Sequence, residues 1–271
     1  MAHIPAERCL SIIELLAEVG EMPLGEIARQ LELPKSGAHR LLATLVDLGW
    51  VEKHPETTFY RLTLRLAILG QRFYAATGLP DICQPLLDRL ARSSGDFARL
   101  AVVDSESLVW VAEAQGATSG LIYQSSLKTN TVPLYATASG KAWLATLQPD
   151  RAIQLALKDT GFERADTYGP NVVRTIEALS QELEATKRRG YGVAVNEAEP
   201  GVSALAAAVR SQRDGTVVGT VSVAGPSVRM TEARIDDLAP LAVAVAPELS
   251  DLWPLRPRLP DRDAANVATA A

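Results

Sequence analysis

Between Leu33 and Arg72 six basic residues, Lys35, Arg40, Lys53, Arg61, Arg65 and Arg72, stand against three acidic ones, Asp47, Glu52 and Glu56. His39 and His54 fall in the same stretch. A local positive surplus in a chain of net charge −5 is what a patch facing a polyanion requires. The segment before it is acidic, with Glu7, Glu14, Glu18, Glu21, Glu26 and Glu32, so any contact to nucleic acid should come from residues 35–61. Arg40 and His39 are the first candidates. A guanidinium can donate two hydrogen bonds to guanine O6 and N7, whereas an arginine that only grips phosphate positions without specifying. Lys35 and Ser36 stand at a helix start, where a hydroxyl can cap the helix or touch a phosphate together with neighbouring amides. Thr44 contributes only to a deeply seated helix. Lys53, His54, Thr57, Thr58 and Arg61 surround a turn and are either backbone contacts or a solvated hairpin tip.

A second run with chemical potential is Thr137-Ala138-Ser139-Gly140-Lys141. A turn entering a helix presents backbone N–H groups that favour a carboxylate, and small residues let a ligand approach them. The alternative is an ordinary helix start with a Thr or Ser cap. Lys141 could act as an amine nucleophile, but nothing nearby lowers its pKa, so a solvated or helix-pairing lysine is expected. Signatures of catalysis are missing: there is no Gly-x-Ser-x-Gly elbow, no P-loop and no dinucleotide fingerprint. All three histidines, His3, His39 and His54, lie in the first quarter of the chain. Cys9 and Cys83 match no metal spacing and suggest no disulfide scaffold. No cofactor or metal is expected, and no enzymatic activity.

The elements that must position these residues follow from periodicity. Residues 7–19 place Leu10, Ile13, Leu16 and Ala17 at helical spacing, ended by Gly20 and Pro23. Residues 24–31 form a second short helix. A third begins near Lys35-Ser36 and runs to Gly49, with Leu41, Leu42, Leu45, Val46 and Leu48 on one side. Strands at 50–52 and 58–62 flank the polar turn 53–57. Three short helices and a hairpin make a winged helix-turn-helix, whose third helix is narrow enough for the major groove. Residues 64–78 read as a linker helix. Beyond them the texture becomes α+β: a helix at 81–93, strands at 97–103, 107–113 and 119–124, helices at 137–147 and 172–189. Strands at 191–195, 203–209 and 216–224 and a last helix at about 231–250 follow. The final residues, 254–271, are rich in Pro, Ala and charge and are expected to be a disordered tail.

The 271 residues, 47% of them apolar and 22% charged, suit one large or two ordinary domains and exclude a mainly disordered chain. No stretch approaches the roughly 18 apolar residues of a membrane span. Glu7, Arg8 and Glu14 interrupt any signal-peptide core, so a cytoplasmic location is expected.

Four motifs, in this order, carry a resemblance: LPKSGAHRLLATLVDLGWVEK at 33–53, closed by YRLTLRLAILG at 60–70; PLYATASGKAWLA at 133–145; KRRGYGVAVNEAEPGVSALAAAV at 187–209; and GTVVGTVSVAGPSVRMT at 215–231. From about Glu7 to Trp253 the chain resembles the IclR family of bacterial transcriptional regulators. The resemblance implies a winged helix-turn-helix domain (1–63), a linker helix (64–79) and a GAF-like effector-binding domain with an antiparallel sheet (80–253). It implies a ligand-responsive regulator, a repressor of a catabolic operon, that binds double-stranded operator DNA and an organic acid or aromatic catabolite as a homodimer or homotetramer. It also implies a cavity lined by Leu121, Gln124, Val132, Ala138, Ser139, Gly140, Asn196, Val202, Ala204, Ser222 and Ala224. The rival reading is a small-molecule binding protein or enzyme whose helix-turn-helix serves only protein contacts.

Overall fold

Glycines and prolines set most helix ends in the first quarter of the chain, at Gly20, Pro23, Pro34 and Gly49, while Glu32, at φ +51°, ends the helix that starts after Pro23. The computed structural model describes residues 4–76, 79–125, 131–158 and 161–250. They fall into two compact units, Met1–Thr77 and Gly78–Ala271. The tail expected at 254–271 and the end of the expected linker helix lie outside the described residues.

The first unit runs α1 (Ile4–Val19), β1 (Glu21–Met22), α2 (Leu24–Gln30), α3 (Lys35–Asp47), β2 (Val51–Lys53), β3 (Tyr60–Leu62) and α4 (Arg65–Ala76). Its core gathers Ile12, Leu16, Met22, Ile27, Leu42, Leu45, Val51 and Tyr60. The inward stripe of α1 is Ile12 and Leu16; Leu10 is 60% exposed and Ala17 also faces outward. In a helix this rich in Leu and Ile several stripes fit helical spacing, and only the packing partner chooses among them. For the same reason α3 buries Ala38, Leu42 and Leu45 and leaves Val46 and Leu48 exposed. Strand β1 was not expected. Gly20, at φ +84°, ends α1 and turns the chain so that Glu21 and Met22 pair with Arg61 and Tyr60.

Helix α4 is anchored to the end of α3. Arg65 Nη1 donates to the Leu48 carbonyl at 2.6 Å while its guanidinium lies 5.1 Å from the Trp50 ring centroid, and Thr63 Oγ1 donates to the Gly49 carbonyl at 2.7 Å. Along α4 the large apolar residues Leu66, Ile68, Leu69 and Phe73 are exposed.

The second unit runs α5 (Leu79–Ser94), β4 (Phe97–Asp104), β5 (Ser107–Gln115), α6 (Ala138–Leu144), α7 (Pro149–Ala156), a 3-10 turn (Ala165–Thr167), α8 (Ile176–Arg189), β6 (Gly192–Val195), β7 (Val202–Arg210), β8 (Val217–Pro226) and α9 (Glu232–Ser250). The strands make an antiparallel sheet of order β5-β4-β8-β7-β6. Small residues let α6 lie directly on it: Ala138 and Ala142 pack against Ala194, Ala204 and Ala206. A second apolar core, with Leu108, Leu134, Trp143, Leu155 and Leu179, holds α7 and α8 to the same unit. Residues 119–124 are not a strand; they run as irregular backbone, and further on Thr131 forms an isolated bridge to Val109. Among the described residues no helix is long and apolar enough to cross a membrane.

Candidate functional site

The polar face of α3 follows from the burial of its other face. With Ala38, Leu42 and Leu45 turned inward, Lys35, Ser36, His39, Arg40 and Thr44 are all exposed. Positions 36, 40 and 44 are four apart and form one ridge. Lys35 and Arg40 have no ion-pair partner among the described residues. The cap of α3 is Pro34, with no side-chain cap bond, so Ser36 does not cap the helix as expected; it stands inside the first turn with its hydroxyl outward. The N-terminal amides of α3 therefore remain open to an anion. The Thr44 hydroxyl donates back to the Arg40 carbonyl at 3.1 Å.

The hairpin tip is held by its own residues. His54 Nδ1 accepts from the amides of Glu56 and Thr57, both at 3.3 Å, and Thr57 Oγ1 accepts from the Phe59 amide. Thr58 takes the left-handed conformation at φ +60° to close the turn. Arg61 lies directly opposite Glu52 and pairs with it at 2.6 Å, and Lys53 Nζ sits 5.6 Å from the Tyr60 ring centroid. Thus His54 and Arg61 shape the hairpin, while Lys53, Thr57 and Thr58 are its exposed surface.

In the second unit one sheet face and helix α6 line a half-open cavity of about 40 Å³. Its wall holds Ala138 and Ser139 from α6, Val202 and Ala204 from β7, and Ser222 and Ala224 from β8, all six expected from the sequence. Strand register explains the grouping. Ala204 pairs with Ala224, Ala206 with Ser222, and Ser222 with Arg99, so these side chains share one face.

The other expected wall residues lie elsewhere. Leu121 and Gln124 are exposed because their segment is not a strand; Tyr123, between them, reaches the cavity instead. Val132 is 2% exposed but belongs to the core cluster around Leu108 and Leu134. Gly140 packs against backbone: a Cβ there would come within 2.1 Å of the Leu134 carbonyl oxygen. Asn196, at φ +54°, accepts through Oδ1 from the Gly201 amide at 2.7 Å and from Ser227 Oγ at 3.2 Å, shaping its loop. The helix start is not an open anion cradle either. Thr137 caps α6, accepting from the Gly140 amide at 3.0 Å while donating to the Pro133 carbonyl at 2.8 Å.

Sequence reasoning missed Arg99, Trp110, Tyr123, Ala198 and Glu199 in the same wall. Arg99 had a signal, a lone charge inside the apolar run FARLAVV. Trp110 had none. Leu100 faces Ala112 but Ala101 faces Trp110, so a bulge at Val111 inverts the alternation and turns Trp110 onto the face of Arg99.

Lys141 is not solvated. It is 1% exposed, and Nζ donates to both carboxylate oxygens of Glu197 at 2.6 Å and to the Val193 carbonyl at 3.1 Å. Burial raises the Glu197 carboxyl above its ordinary range, and the Lys141 ammonium opposes that shift. Cys83, buried, has its thiol pushed up to about 11 by desolvation, which leaves it unreactive.

A larger, open groove of about 530 Å³ lies between α6, α8, β7 and α9, where β7 extends past the end of β6. Unlike the smaller cavity, its wall contains no buried polar side-chain atom lacking a partner among the described residues.

The chain matches two family descriptions: "IclR helix-turn-helix domain" over residues 5–55 and "Bacterial transcriptional regulator IclR C-terminal" over residues 72–251. It is 28% identical over 244 residues to the HTH-type transcriptional regulator BhcR of Paracoccus denitrificans, covering 90% of this chain and 85% of that protein. Identity to the transcriptional repressor IclR of Escherichia coli is also 28% over 244 residues, covering 90% and 87%. Its fold is similar to that of an IclR homolog from Microbacterium hydrocarbonoxydans, solved in complex with 4-hydroxybenzoate, with a TM-score of 0.69 at 24% identity over 90% of this chain and 99% of the other.

Proposed function

Because the chain belongs to the IclR family of bacterial transcriptional regulators, we infer that its α3 face reads operator DNA and that the cavity beside Ser139 takes the small molecule that controls it. The observation that carries this reading is the division of labour between the two units. One exposes an unpaired basic ridge on a helix with an open N-terminus, and the other holds a small, half-open cavity with polar side chains in its wall. Arg40 and His39 meet base edges or phosphates, Lys35 and Ser36 meet phosphate at the helix start, and Lys53, Thr57 and Thr58 touch the flanking backbone. The effector is an organic acid or aromatic catabolite; the fold neighbour holding 4-hydroxybenzoate supports that class. The protein represses a catabolic operon in the cytoplasm, a reading supported by its similarity to the Escherichia coli repressor.

The protein works as a homo-oligomer. Leu66, Leu69 and Phe73 fall three and four residues apart on α4 and stay exposed, an apolar stripe suited to a second copy. Effector binding favours one arrangement of the assembly, and α4 conveys it to the spacing of two recognition helices.

A gel-shift titration against the DNA flanking the protein's own gene tests the reading. Binding that falls steeply with salt is expected, since each neutralised phosphate releases counterions. Absent or salt-insensitive binding would favour the rival in which the helix-turn-helix serves only protein contacts.

A further inference from the structure

We propose that Arg99 selects the charge of the effector: the cavity takes a monocarboxylate, gripped by the Arg99 guanidinium with the Ser139 hydroxyl and the Trp110 indole N–H beside it. This deepens the effector reading of the same cavity and rests on it.

Arg99 is 8% exposed on β4, a strand flanked on both sides, where an ionised group is costly unless it is paired. Its pairing is incomplete. The Glu113 carboxylate lies opposite at 3.8 Å, beyond hydrogen-bond length, and is 62% exposed, so water screens most of that attraction. Arg99 Nε has no hydrogen-bond partner among the described residues. In the same wall Trp110 Nε1 and Ser139 Oγ are also buried without one, Ser139 being 1% exposed. Guanidinium and indole can only donate, so a wall that leaves both unanswered calls for an acceptor. A carboxylate supplies two acceptor oxygens in one planar group.

The geometry is set before a ligand arrives. The Arg99 guanidinium lies 4.0 Å from the Trp110 ring centroid and 5.6 Å from that of Phe97, which restricts it to one orientation. The wall's own carboxylate, Glu199, already accepts from Tyr123 Oη and from Ser125 Oγ. Its negative charge also attracts Arg99, so little positive charge is left to match a second anionic group on the ligand, which favours one carboxylate over two. A cavity of about 40 Å³ admits a short acid as it stands, given that about 10–15 Å³ holds one water.

The test uses the full chain and measures melting temperature against acetate, propanoate and benzoate, with propanamide and benzamide as uncharged counterparts, each to about 50 mM. Acids should raise the melting temperature and amides should not. Arg99→Gln should weaken the acids roughly ten- to hundredfold, the loss of one charge-assisted contact, whereas Arg99→Lys, which keeps the charge but not the planar fork stacked on Trp110, should weaken them less. The melting temperature of each variant without ligand checks that it folds. If Arg99→Gln leaves the acid titration unchanged while Ser222→Leu abolishes it, the cavity remains the effector site and Arg99 loses its role. Amides that bind as well as acids overturn the proposal in the same way. If Ser222→Leu also leaves the titration unchanged, the acid binds elsewhere and the effector reading of the cavity falls. An absent response to every acid refutes the proposal outright.

Discussion

The ammonium of Lys141 sits 2.6 Å from both carboxylate oxygens of Glu197, closing a bond between α6 and the loop after β6. Lys141 follows Ser139 by two residues, and Glu197 directly precedes Ala198 and Glu199, so the pair ties together two parts of the cavity wall. Glu182 of α8 stands 3.9 Å behind the lysine. Removing one member of a buried pair leaves the other uncompensated, at a cost of about 3–5 kcal/mol. Lys141→Met should therefore lower the unfolding free energy by about that much in urea, and adding Glu197→Leu should restore most of it. The loss should also depend on pH. Burial raises the folded-state pKa of Glu197, and without the lysine only a backbone hydrogen bond at Val195 opposes it. The folded variant then holds a proton that the unfolded chain releases at about pH 4.3, so stability falls as pH rises from there through the folded pKa. Lys141→Met should be least harmful near about pH 5 and most harmful near about pH 8. Equal losses at both would mean that Glu197 is not ionised in the parent protein.

Arg40 and Arg61 separate free from committed charge. Arg40 is exposed on the α3 ridge, whereas Arg61 pairs with Glu52 across the hairpin at 2.6 Å. Arg40→Ala should cost operator affinity about 1–3 kcal/mol in a gel shift and leave effector binding and oligomeric state unchanged. Arg61→Ala should cost less, since its guanidinium must first leave a carboxylate. Similar losses for both would show that the hairpin ion pair opens on DNA.

Ser222 lies between Arg99 and Ala206 on the cavity face. Ser222→Leu puts a branched side chain into a space of about 40 Å³. Overfilling should cost about 1–3 kcal/mol of stability, block the effector response and leave operator binding measurable. A normal ligand titration in a folded Ser222→Leu protein would remove this cavity from the mechanism.

Leu69 and Phe73 are 52% and 69% exposed, four residues apart on α4. Replacing both with Glu should shift the protein toward monomer in sedimentation velocity and remove the dependence of its melting temperature on protein concentration. An unchanged sedimentation coefficient would place the oligomer contact elsewhere.

Much of this architecture could be read directly from the chain. Local rules were enough for the breaks at Gly20, Pro23 and Pro34, for α3 between Pro34 and Gly49, and for most strands of the second unit. Ala138, Ser139, Val202 and Ala204, on one side of the cavity, were legible only through the family resemblance. Where a decision needed distant partners, the chain alone could not make it. Which stripe of α1 turns inward depends on Met22 and Tyr60, which lie outside that helix. Strand β1 exists only because Glu21 and Met22 find Arg61 and Tyr60. Whether Lys141 is solvated or buried is decided by Glu197, 56 residues away. The position of Trp110 over Arg99 depends on one bulge, and a single extra residue reverses every facing beyond it. Periodicity and turn chemistry act over a few residues and are written locally; side-chain pairing across a sheet arises only after the chain has folded back on itself.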